Sequence, residues 1–128
     1  MTELSAGSKI PIIKLGAYLL VPIQVDMTDH MVADLQTNVL KAIERSGAQG
    51  VLIDISVLEM VDSFIGRTLS GIARMAAVMD AAVVIVGMQP AVAITLVELG
   101  LEMKGIDYAL NIEYGMALLD RRIREADA

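Results

Sequence analysis

Residues 50–86 read GVLIDISVLEMVDSFIGRTLSGIARMAAVMDAAVVIV. Gly50 to Ile55 and Ala82 to Val86 are short, uninterrupted aliphatic runs, the pattern of strands buried on both faces. Between them Ile65, Leu69, Ile72, Ala76 and Met79 recur at helical spacing and form one apolar stripe. A strand, a helix and a second buried strand in succession predict a parallel β-α-β unit.

The same alternation continues on both sides. Upstream, Ile10 to Leu15 and Tyr18 to Val25 are extended stretches separated by Gly16-Ala17 alone, which predicts a hairpin. Pro11 and Pro22 limit its ladder, because proline has no N–H to donate. Asp26 to Asp29 supplies helix-start residues, and Val32, Leu35, Val39, Ala42 and Ile43 follow at helical spacing until Gly47. Downstream, Pro90 opens a helix that stops at Gly100, and Ile106 to Leu110 gives the last strand. Asn111 then caps a helix carrying Ile112, Met116, Leu119 and Ile123 on one face. The order β-β-α-β-α-β-α-β-α predicts an α/β fold: a mostly parallel mixed sheet, opened by the N-terminal hairpin, with four helices. Residues 1–9 read as a flexible tail and residues 10–126 as one domain. Sheet order is not legible in the sequence.

Composition narrows the function classes. With 128 residues the chain holds one domain, and with 55% apolar residues it is not disordered. Aromatic content of 3% means a core of aliphatic side chains and methionine, with an apolar assembly surface as a second use of the excess. A net charge of −6 opposes binding to nucleic acid and anionic lipid. The densest basic patch, Arg121, Arg122 and Arg124, is interleaved with Asp120 and Glu125 at the end of a helix, where it complements the dipole. Ala81 to Val97 is uncharged, but it is shorter than the ~20 residues of a membrane span and is cut by Gly87, Gln89 and Pro90. The start MTELSAGSKIPIIK lacks the pattern of a signal peptide and cysteine is absent, so the expected location is cytoplasmic.

Catalytic chemistry finds little footing. His30 is the only histidine, in the first turn of a helix and in an acidic stretch, and it reads as a solvated helix residue. One histidine without cysteine cannot build a triad or a His/Cys metal site. There is no Walker A loop and no dinucleotide fingerprint. The carboxylates Asp54, Glu59 and Asp62 gather near the end of the third strand, where a receiver domain carries its phosphoacceptor. That chemistry also needs an acidic pair after the first strand and a lysine after the fifth, and both are missing. A paired-carboxylate hydrolase has no further support. No enzyme, cofactor or metal is expected.

One constellation remains, LEMVDSFIGRTLSG at residues 58–71, which sets Asp62-Ser63 where a connector turns into a helix. Either residue serves as an N-cap. Four segments together resemble the STAS domain family: KIPIIKLGAYLLVPIQ (9–24), GVLIDIS (50–56), MVDSFIGRTL (60–69) and MQPAVAITLVELGL (88–101). The last is the most diagnostic, since helical periodicity does not demand that wording. The resemblance spans residues 9–123 and implies the STAS fold. Anti-sigma-factor antagonists of this family carry an Asp-Ser-Ser-Gly-type motif at this helix start. Here Phe64, Ile65 and Gly66 follow Asp62-Ser63, the form of the stressosome scaffold subclass.

The resemblance implies that Ser63 is a phosphoacceptor, with Asp62, Glu59, Asp54, Phe64, Ile65 and Gly66 as its neighbours. It implies a non-catalytic scaffold and negative regulator that sequesters a switch serine/threonine kinase and releases it on phosphorylation. The implied partners are that kinase, of the histidine-kinase-like ATP-binding fold, paralogous STAS proteins with sensor domains, and a resetting phosphatase. Self-association, as a dimer within a large assembly, is also implied. Alternatives are a free-standing anti-sigma-factor antagonist and a nucleotide-binding module. Helical spacing puts Arg67, Ser70 and Arg74 opposite the apolar stripe, as candidate partner contacts, and Phe64 is expected in the core, with an exposed anchor as the alternative.

Overall fold

The computed structural model describes residues 10–24, 27–100 and 106–127. The tail expected at residues 1–9 lies outside the described residues, as do Val25 and Asp26. The chain forms β1 (Ile13–Leu15), β2 (Tyr18–Pro22), α1 (Asp29–Ser46), β3 (Gly50–Asp54), α2 (Ser63–Val78), β4 (Ala82–Val86), α3 (Pro90–Glu98), β5 (Ile106–Ala109) and α4 (Ile112–Asp127). The strands make one sheet in the order β1-β2-β3-β4-β5. Only β1 and β2 are antiparallel.

The hairpin is shorter than its sequence suggests. Pairing runs from Ile13↔Leu20 to Leu15↔Tyr18, around Gly16 at φ 63°. Ile10 and Ile12 are buried but precede the strand, with Pro11 between them. Pro22 is the last residue of β2, and the Ile23 N–H continues the pairing to the Asp54 carbonyl at 2.9 Å.

Thr28 caps α1 by accepting from the Met31 N–H at 3.2 Å. Gly47 ends that helix at φ 67°, donating to the Ile43 carbonyl at 2.9 Å. Parallel register then stacks side chains in rows across the sheet. Leu19, Val51 and Val83 form one row and Val21, Ile53 and Ile85 the next, all buried under α1, α2 and α3. Leu20, Leu52 and Val84 face the other side, where α4 packs.

Two glycines let α4 come close. A Cβ on Gly115 would meet Leu52 Cδ2 at 2.7 Å, and one on Gly50 would meet the Leu119 methyls at 2.8 Å. Two side-chain ties hold α4 across the sheet. The Tyr18 hydroxyl donates to the Asp120 carboxylate, and Arg122 pairs with Asp107 of β5. Burial, with the Asp120 hydrogen bond and charge behind it, pushes the Tyr18 phenol up to about 12. Arg122 is thus a sheet contact rather than a dipole partner, while Arg124 lies in the last turn. Among the described residues no helix is long and apolar enough to cross a membrane.

Candidate functional site at the start of α2

The connector between β3 and α2 is shaped by its own apolar residues. Ile55, Leu58 and Val61 are buried, and the Leu58 N–H closes a turn on the Ile55 carbonyl at 3.0 Å. The residues between them are forced outward. Val57 is 52% exposed and Met60 85% exposed, in a segment that has other apolar residues to bury. Asp62 is the N-cap of α2, and its carboxylate accepts from the Ile65 N–H at 2.8 Å. Ser63 is therefore the first helical residue, partly buried, and no described group hydrogen-bonds its hydroxyl.

α2 divides as its periodicity requires. Gly66, Leu69, Ile72, Ala73 and Ala76 are buried, while Arg67 and Arg74 are exposed and Ser70 is partly exposed between them. Phe64 corrects the sequence reading: it is 40% exposed and stands at the surface beside Ser63. Its helical phase explains this, because Phe64 shares a face with Thr68, whose hydroxyl donates to the Phe64 carbonyl at 2.9 Å. Ile65 takes the inward position, packed against the main core. A groove of about 290 Å³ borders the connector, lined by Met27, Leu58, Glu59, Met60 and Ile65.

The three carboxylates do not converge. Asp54 shares the sheet face of Leu52 and lies at a cleft of about 380 Å³ with Asn111 and Glu113, on the α4 side. Its carboxylate accepts from the Ser56 N–H at 2.9 Å. Glu59 and Asp62 are exposed on the connector. Among the described residues no cluster of three or more His, Cys, Asp or Glu is placed to hold a metal. His30 is exposed and faces Asp34 at 3.3 Å, one turn along α1.

A further group was not singled out from sequence. The Gln89 amide donates to the Ser56 carbonyl at 2.7 Å, fastening the connector to the start of α3. Gly87, at φ 77°, makes room, since a Cβ there would meet the Ser56 Cβ at 2.8 Å. The signal was present in the wording MQPAV (88–92), whose glutamine helical periodicity does not explain.

A mixed sheet opened by a hairpin, with a serine at the Asp62-capped start of α2, defines the class. Residues 9–113 match the STAS domain, and the chain belongs to that family. It is similar to RsbS of Moorella thermoacetica, solved as a serine-to-glutamate variant, at 38% identity and a TM-score of 0.80, covering 91% of this chain and 99% of that one. It is also similar to a chain in a structure of the stressosome, a signal integration and transduction hub. There the identity is 39% and the TM-score 0.77, covering 89% of this chain and 99% of that one. A Thermotoga maritima protein, provisionally described as an anti-sigma factor antagonist, shares the fold at 15% identity and a TM-score of 0.73, covering 88% and 95% of the two chains. No curated protein sequence matches the chain.

Proposed function

We propose that this STAS domain is a non-catalytic scaffold and negative regulator in a bacterial, cytoplasmic stress-signalling assembly of the stressosome type. It docks a switch serine/threonine kinase through the connector and the start of α2, and phosphorylation of Ser63 releases that kinase. The observation that carries the reading is the placement of Ser63: a hydroxyl at the first turn of α2, between exposed Met60 and Phe64. Likeness to RsbS and to a stressosome chain supports the assembly. The glutamate in the Moorella protein puts negative charge where a serine hydroxyl would be. Sensor-bearing STAS paralogues and a resetting phosphatase complete the cycle.

Magnitudes decide how such a switch acts. A phosphate adds about −1.5 to −2 charge. The α2 dipole favours it by roughly 0.3–1 kcal/mol per charge. A nearby carboxylate such as Asp62 opposes it by roughly 1.4 kcal/mol at about 6 Å in bulk-water dielectric. These effects nearly cancel, so the isolated fold is left almost unchanged. Docking is different, because burying uncompensated phosphate charge in an apolar interface costs several kcal/mol, a hundredfold or more in affinity.

The test is phosphopeptide mapping after incubation with the switch kinase and ATP. Label is expected on Ser63 alone; label on Thr68 or Ser70, or none, would overturn the assignment.

A further inference from the structure

Phosphate on Ser63 would have a charged neighbour already in place. Arg67 lies four residues on, one turn along the same face of α2. Helical side chains lean toward the N-terminus, so the long Arg67 side chain reaches back over the turn that begins at Ser63. An anion placed four residues before a cation is also the favourable order for such a pair. Arg67 is exposed and makes no ion pair among the described residues, and Asp62, the nearest acid along the chain, is engaged by the Ile65 N–H. Its guanidinium is therefore available, and its planar fork suits phosphate oxygens better than an ammonium does. Arg74 sits almost two further turns away and cannot substitute.

We infer that Arg67 is an intramolecular clamp for phosphoserine at position 63, so that phosphorylation both adds a dianion to the docking face and withdraws its exposed arginine from partners. This rests on the reading of Ser63 as the phosphoacceptor and adds a second component to the switch. Unphosphorylated, the face offers Met60, Phe64 and a free guanidinium; phosphorylated, it offers a closed ion pair and surplus negative charge. A partner carboxylate that pairs with Arg67 in the docked state loses its cation when the clamp closes.

The clamp is read most directly from the phosphate itself. Phosphoserine is installed at position 63 during translation, without any kinase, and its second ionisation is followed by ³¹P NMR. The reference value is about 6. Arg67→Gln, Arg67→Lys and Arg74→Gln are compared with the parent chain, so the contributions of Asp62 and Glu59 cancel. The parent and Arg74→Gln should titrate about 0.2–0.4 pH units below Arg67→Gln, the size of an exposed helical pair. Arg67→Lys should fall between, keeping charge without the fork. Superimposable titrations for the parent and Arg67→Gln would overturn the clamp. Because phosphate is supplied independently, a kinase that ignores Ser63 refutes the phosphoacceptor reading and leaves this comparison intact.

Discussion

Asp62 and Ser63 divide two tasks that neighbouring residues at a helix start easily share. Asp62 satisfies the Ile65 N–H, which leaves the Ser63 hydroxyl outside the capping bond. Asp62→Ala should cost about 1 kcal/mol, seen as a lower urea midpoint at unchanged slope. Ser63→Ala should stay within about 0.5 kcal/mol of the parent, as expected for a side chain that no described group hydrogen-bonds. Met60 and Phe64 follow the same separation of stability from binding. Their paired alanine substitution should leave the melting temperature nearly unchanged and weaken kinase docking at least about tenfold by calorimetry. The sequence shows that a cap stands at residues 62–63 but not which residue performs it, because both side chains are competent acceptors. Phe64 is misjudged by hydrophobicity alone, whereas its phase relative to Ile65 and Leu69 puts it outside the buried stripe.

α4 shows the same limits at the scale of an element. Its repeat correctly places Leu119 in the interior and Ile112, Met116 and Ile123 against it. Gly115 escapes notice because a hydrophobicity pattern cannot register a missing side chain, yet it sits where α4 comes closest to Leu52 and Val86. Gly115→Val should destabilise by about 1–3 kcal/mol through overpacking, read by denaturant titration. Burial of the Tyr18 phenol, reinforced by its Asp120 hydrogen bond, gives the fold a pH dependence. A phenol raised from 10.0 to about 12 in the folded state contributes stability that is complete below about pH 10 and disappears as pH rises toward 12. The loss amounts to at most about 3 kcal/mol. Tyr18→Phe should flatten the melting temperature across that window, while the parent falls. Sheet order stayed illegible for a related reason: it depends on pairings such as Val51↔Val83, between residues far apart in the chain.

Across the whole molecule, the apolar excess is more than a core requires. Ile94, Val97 and Leu99 are exposed on and just after α3, and Tyr108, Leu110 and Tyr114 where β5 meets α4. These side chains offer apolar surface to neighbours in an assembly. Size exclusion should show the chain entering a megadalton-scale complex with a sensor-bearing STAS paralogue, whereas a free-standing antagonist would remain small. Composition had indicated such a surface without locating it, since it counts apolar residues and not their neighbours. The most direct test of the regulatory claim is a kinase pull-down with the parent chain, Ser63→Ala and Ser63→Asp. Capture by the first two and its loss with the aspartate is the predicted result. Equal capture by all three would contradict the switch and leave Asp62-Ser63 as a helix start alone.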